Sequence, residues 1–238
     1  MHGPVTRVLE QDPELGEGLD AERFAAASVH ARAVVIELAR GEWSEQEWPA
    51  GARDGLGLLV LEGLLLRRVG LDGRFGSELL AQGDLLRPWQ REDAGVSVPR
   101  RLGWRVLRGC RVAVLDLEFA KRIAAYPEIH GRLLARALRR SRYLTVNIAI
   151  VHQPKVETRL HMLLWHLADR WGTVRKDGVL LPVKLTHSIF AELLAARRPT
   201  VSAALSGLEG SGRIARCPDG WLLYGAPPGE LQTINVLE

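Results

Sequence analysis

Lys184, Thr186, His187, Arg197, Arg198, Thr200, Ser202, Ser206, Arg213 and Arg216 gather near the end of a 238-residue chain. Guanidinium, ammonium, imidazole and hydroxyl groups in such a run hold anions, and arginine also forks onto guanine O6 and N7. The chemistry they offer is recognition. No Ser/His/Asp set, paired carboxylates, Gly-rich phosphate loop or metal-ligand spacing accompanies them in the sequence. The chain therefore reads as a non-enzyme without a cofactor, and Asp116 and Glu118 suit a strand end and helix start better than acid–base work.

Two short helices must carry these residues. Thr186 is placed to cap the first, which presents Ile189, Phe190, Leu193 and Leu194 as an apolar stripe. Pro199 suits the start of the second, where Val201, Leu205 and Leu208 recur at i, i+4 and i+7. The pair forms a helix-turn-helix, whose second member enters the DNA major groove, although an αα-hairpin inside a core has the same apolar spacing. Pro199, Ala203 and Ser206 point away from that stripe, with Thr200 and Ser202 on its flanks. A small, uncharged outer face lets a helix sit deep in a groove. Gly212 to Tyr224 then reads as two strands around Pro218-Asp219-Gly220, a hairpin wing that sets Arg213 and Arg216 near phosphates.

These residues resemble the DNA-binding domain of the Crp/Fnr family of bacterial transcription regulators. The matching segments are Glu157-Thr158-Arg159-Leu160 with Leu163, Leu164, Leu167 and Ala168, Val183-Lys184-Leu185-Thr186-His187, Arg198-Pro199-Thr200-Val201-Ser202, and the Gly212 to Tyr224 wing. The resemblance implies an α+β chain: an N-terminal antiparallel β-roll of the cyclic-nucleotide-binding type, a long dimerisation helix and a C-terminal winged helix-turn-helix. It also implies double-stranded DNA and a second copy of the chain as partners, with RNA polymerase a further candidate. Upstream the chain departs from the family. Gln82-Gly83-Asp84 resembles its Gly-Asp turn, but Leu86-Arg87-Pro88 and Gly95 to Arg100 stand where ligand-binding members carry a Glu for ribose and an Arg for phosphate. Cyclic AMP binding in the family manner is not expected. Arg87, Arg100 and Arg101 are candidates for another anion, with solvated strand-edge charge the plainer reading. Pro199 and Ala203 also replace a Glu and an Arg that some members use to read G·C steps, so a different operator is expected.

The remaining elements divide as follows. Residues 1–50 read as an extension with one helix from Ala21 to Arg40, and Trp43 and Trp48 plug a core edge. Residues 51–117 hold short strands at Gly57–Val69, Gly76–Ala81, Asp84–Trp89, Leu102–Leu107 and Arg111–Leu117. Residues 118–153 read as one long helix, kinked at Pro127, ending in a hinge at Gln153-Pro154-Lys155. Leu134, Ala137, Ser141, Leu144, Ile148 and Val151 form a heptad seam along it. A buried helix has the same spacing, and the resemblance favours a parallel homodimer. Arg136, Arg139, Arg140 and Arg142 beside the seam read as a solvated basic face. Residues 154–226 are the winged helix, with Trp171 to Gly178 a loop, and 227–238 a tail.

Residues 1–60 carry 5 basic and 11 acidic side chains, whereas residues 117–150 carry 7 and 2, so positive charge gathers toward the expected DNA-binding half. Two distant cysteines argue against a disulfide framework, and His161 and His166 read as core or surface histidines. Without an 18-residue apolar run or a leader pattern, the expected setting is the cytoplasm. Two other functions stay open: a regulator switched by another cyclic nucleotide in the roll, and a sensing or scaffolding dimer that does not bind DNA.

Overall fold

The computed structural model describes residues 3–44, 53–71, 74–88 and 101–229. The chain divides into two compact units, Met1–Tyr143 and Leu144–Glu238.

The first unit is built on β1 (Val5–Arg7), α1 (Val8–Gln11), α2 (Ala21–His30), β2 (Arg32–Leu38), β3 (Gly41–Trp43), β4 (Gly57–Leu71), β5 (Arg74–Ala81), β6 (Leu85–Leu86), β7 (Arg101–Leu115), α3 (Leu117–Arg122) and the part of α4 (Pro127–Val151) up to Tyr143, the rest of that helix belonging to the second unit. The strands form one antiparallel sheet in the order β1-β2-β7-β4-β5, with β3 on β7 and β6 on β4. Alternation along β4 and β7 serves two cores. Leu59, Leu61, Ala113 and Leu115 face α1, α2 and α3, where Phe119 and Ile123 pack. Leu58, Val60, Val112 and Val114 face the opposite side with Trp43 and Trp104.

Three expectations change here. The Ala21–Arg40 stretch is a helix only to His30, because Arg32–Leu38 sends Ala33 and Val35 into one core and Ile36 and Leu38 into the other, and Val34–Leu38 pairs with Val114–Cys110 of β7. Residues 5–43 thus supply three strands to the sheet, β1, β2 and β3, beside the helices α1 and α2, rather than one helix alone. Leu102–Leu107 and Arg111–Leu117 are not two strands. Up to Leu115 they are the single β7, whose Gly109 region is absorbed by register shifts between Val60 and Leu65 of β4, while Leu117 already begins α3. At that bulge Gly63 adopts φ 112°, and a Cβ there would collide with buried Cys110. The expected long helix is likewise two, α3 capped by Asp116 and α4 opened by Pro127, so the proline starts a helix rather than kinking one. Trp43 does close a core edge, edge-on to Trp104 at 5.7 Å. Trp48 lies outside the described residues.

Arg136 and Arg140 are not solvated. The Arg140 side chain is 18% exposed and Glu78 of β5 is 9% exposed; Nε and Nη2 donate to the two carboxylate oxygens at 2.5 and 2.8 Å, and Nη1 donates to the Leu85 carbonyl at 3.3 Å. Arg67 reaches the same carboxylate at 3.5 Å. One turn earlier Arg136 makes a two-pronged pair with buried Asp12 and also reaches Gly83 and Glu14. Burial works against both guanidinium charges, yet the carboxylate bonds outweigh it and raise both pKa values above the ordinary arginine level.

The second unit holds α5 (Val156–Trp171), β8 (Thr173–Arg175), β9 (Gly178–Leu181), α6 (His187–Leu193), α7 (Arg198–Gly210), β10 (Ile214–Cys217) and β11 (Gly220–Leu223). The expected loop at Trp171–Gly178 is a hairpin. Lys176-Asp177 turns β8 into β9, and β9 joins β11, so the wing is the edge of a four-stranded sheet, β10-β11-β9-β8. His161 and His166 are buried in α5, and Trp165 Nε1 donates to His161 Nε2 at 3.1 Å.

The bend between α6 and α7 is a Schellman turn. Ala196 N donates to Ala191 O at 2.9 Å and Ala195 N to Glu192 O at 3.4 Å, while Ala195 takes φ 48°. Glycine is the residue suited to that conformation; here an alanine carries its strain.

Two outcomes follow from these interactions. Arg140→Met leaves Glu78 with only Arg67 and is expected to lower unfolding free energy in urea titration by about 3 kcal/mol, with Glu78→Leu in the same chain recovering most of the loss. Ala195→Gly is expected to raise it by about 1 kcal/mol, read the same way.

Candidate nucleic-acid interface

The α6 helix begins where expected. Thr186 Oγ1 accepts from Ile189 N at 3.3 Å, and Ile189, Phe190, Leu193 and Leu194 are buried. Helix α7 starts at Arg198 with Pro199 in its first turn. Its buried face is Val201, Ala204, Leu205 and Leu208, packed on α5, α6 and β10. The approach to α5 is close: a Cβ at Gly207 would stand 3.0 Å from Glu157 Oε2. Pro199, Thr200, Ala203 and Ser206 lie exposed on the opposite face, as the 3.6-residue period requires. Arg159 of α5 fixes the bend from behind, donating to the Leu194 carbonyl at 3.2 Å and to Gln153.

A cleft of about 440 Å³ opens between these helices and the wing. Lys184, Thr186, His187, Arg198 and Arg216 line it, together with Ser188, Cys217 and Trp221. Five residues singled out in the sequence therefore converge. Ser202 joins them through His187 Nδ1, 2.8 Å from its hydroxyl, and itself donates to the Arg198 carbonyl at 3.1 Å. Arg216 Nη2 lies 3.2 Å from His187 Nε2, and its Cζ sits 5.0 Å from the Trp221 ring centre. That stacking holds the guanidinium against the sheet without neutralising it.

The other residues are placed differently. Arg197 is exposed at the N-cap of α7 and does not line the cleft. Arg213 leans on Glu157 of α5 at 3.8 Å, both side chains about half exposed, a weak pair that a phosphate can displace. Arg87 ends on the Arg53 carbonyl at 3.4 Å, and Arg101 begins β7 opposite Gly70. The ladder sets these two at opposite ends of β4, and Arg100 lies outside the described residues. Among the described residues no group of three His, Cys, Asp or Glu side chains is arranged to hold a metal ion.

Sequence reasoning missed Trp221 and Arg159. Trp221 was within reach: a hairpin turning on Pro218-Asp219 places Arg216 across from Trp221. Arg159 stands in the matching segment Glu157-Thr158-Arg159-Leu160, but nothing local shows its role, since its partners lie on the hinge and in the Schellman bend.

On the seam of α4, Leu134 and Ile148 are 61% and 60% exposed. Ala137 and Ser141 are also exposed, while Leu144 and Val151 are half-buried. On the opposite face Ile129 and Leu133 pack into the roll. No helix among the described residues is long and apolar enough to cross a membrane.

Residues 158–223 match the family described as a Crp-like helix-turn-helix domain. No curated protein matches the chain. Among solved structures, a CooA variant from Carboxydothermus hydrogenoformans aligns with a TM-score of 0.63 at 14% identity, covering 95% of this chain and 94% of that one. A cyclic nucleotide-binding domain containing protein from Listeria monocytogenes EGD-e aligns with a TM-score of 0.63 at 15% identity over 80% of this chain and 88% of that one. FixK2 from Bradyrhizobium japonicum aligns at 0.58 and 16% identity over 84% and 96%. At such identities the likeness is one of fold. Residues 158–223 are thus a Crp-like helix-turn-helix domain, and the chain has the fold of the Crp/Fnr transcription regulators.

Proposed function

We propose that this chain is a sequence-specific, DNA-binding transcription regulator that acts as a homodimer on a roughly palindromic operator. The observation that carries the reading is the outer face of α7: small, uncharged side chains behind an exposed Arg198, flanked by a cleft with Lys184, His187 and Arg216 on its walls. Such a helix fits between DNA backbones, with the cations meeting phosphates on either side. Arg198 is assigned to guanine, and Thr200 and Ala203 to thymine methyl groups. The Ser202 hydroxyl is occupied by His187 and the Arg198 carbonyl, so Ser206 is the better placed of the two serines for a base edge. Arg197, Arg213, Lys184 and Thr186 serve the sugar-phosphate backbone.

Dimer formation is supported by the exposed leucine and isoleucine along α4. Two copies joined along that seam would cover Leu134, Leu138 and Ile148, and a two-fold axis there would repeat the recognition helix about one DNA turn away. RNA polymerase remains a partner suggested by fold alone.

Independence from cyclic AMP is supported by the α4 arginines. Arg136 and Arg140 are already paired with Asp12 and Glu78, so an anion approaching α4 from the roll must displace a buried, two-pronged carboxylate. Arg87 and Arg101 do not converge on one ligand in the described structure, which favours the strand-edge reading of these charges.

Selection of bound sites from random duplexes with the purified chain is expected to return two inverted half-sites about one helical turn apart, centre to centre. A pool without enrichment would overturn the reading. Against the selected site, Arg198→Ala is expected to cost about 1–3 kcal/mol and to relax one base position per half-site in competition binding. Arg213→Ala is expected to weaken all sequences alike and to lower the slope of affinity against salt by about one counterion for each phosphate left ungripped.

A further inference from the structure

His187 joins three elements that must meet DNA together. It is the first residue of α6, its Nδ1 lies 2.8 Å from Ser202 Oγ on α7, and its Nε2 lies 3.2 Å from Arg216 Nη2 on β10. The donors and acceptors allow one direction only. A guanidinium has no acceptor, so Nε2 must accept from Arg216 and carries no hydrogen. The ring hydrogen of the neutral imidazole is then on Nδ1 and is donated to Ser202 Oγ. Ser202 in turn passes its hydroxyl hydrogen to the Arg198 carbonyl at 3.1 Å. The line from Arg216 through His187 and Ser202 to Arg198 thus ties the wing to the first turn of α7.

We propose that His187 is the positioning residue that sets wing and recognition helix in one register, and that it does so only as the neutral Nδ1–H tautomer. The role rests on the DNA-binding reading above. Protonation adds a hydrogen at Nε2, facing Arg216, where two donors and two positive charges then oppose each other. The charged groups around the ring are Lys184 ahead of α6, Arg198 on α7 and Arg216 on β10. Cys217 also lines the cleft, and no carboxylate is among its lining residues. The protonated protein therefore loses its fixed Arg216 and gains a cation in an already positive cleft. Selectivity falls while sequence-independent attraction to phosphate rises.

Two measurements on the full chain test this. Imidazole nitrogen NMR at pH 8, with the His187 signals assigned by their loss in His187→Gln, is expected to show the hydrogen on Nδ1. Competition between the selected operator and random duplex, at fixed ionic strength and pH 8, is expected to show an operator preference about tenfold lower for His187→Ala than for the wild type, the size of one hydrogen bond to a charged group. His187→Gln can still accept from Arg216 and donate to Ser202 but cannot charge, so it should recover most of that preference. A hydrogen on Nε2, or a His187→Ala protein as selective as the wild type, overturns the role of His187 while leaving DNA binding intact. If no duplex is preferred by the wild type, the DNA-binding reading falls, and this role with it.

Discussion

A guanidinium removed from water loses several kcal/mol of hydration unless a carboxylate and further acceptors replace what the solvent provided. Arg140 meets that demand with Glu78 and the Leu85 carbonyl, and Arg136 meets it with Asp12 and the Gly83 carbonyl. Because the bonds are directional, they fix the rotation of α4 about its own axis as well as its distance from the sheet. Ile129, Leu133, Arg136 and Arg140 form one line at spacings of four, three and four, and that line faces the roll. The face carrying Leu134, Leu138 and Ile148 is left exposed. An apolar helix face alone slides and rolls easily against its neighbour; two buried ion pairs one turn apart do not permit it.

How well the sequence could be read depended on how far each signal had to travel. The Thr186 cap, the i, i+4, i+7 stripe of α7 and the Pro218-Asp219 turn are local, and all three elements formed where their residues indicated. Strand β2 was hidden because an alanine-rich helix runs directly into it, and its reason to be extended is β7, far along the chain. Arg136 and Arg140 looked solvated for the same reason. Their spacing showed a basic stripe, while Asp12, Glu78 and the carbonyls that bury them belong to other segments. The expected gap between Leu107 and Arg111 is absent because the irregularity there is a bulge, a property of two strands, and Gly63 of β4 supplies the second half of it.

The outer face of α7 has a similar division of labour. Small outward side chains on α7 were legible from periodicity, but the side chains that hold the helix in place come from α5, α6 and the wing. Arg159 closes the carbonyl end of α6, Glu157 lies beside Gly207, and His187 reaches both Ser202 and Arg216. The outer face can stay free of long side chains because its placement is secured from the other side. This is also what allows an alanine, rather than a glycine, to persist at φ 48° in the Schellman bend: neighbouring packing outweighs a local strain of about 1–2 kcal/mol.

The bulge at Gly63 has one more result. Desolvation against that backbone pushes the Cys110 thiol up to about 11, so thiolate is scarce near neutrality and the sulfur behaves as a small hydrophobe. Electrophiles thus find the two cysteines unequal, since Cys217 is half exposed on the wing and lines the cleft beside Trp221. A maleimide dye would attach there selectively, giving an unmodified chain a single reporter position on the surface where duplex contact is expected.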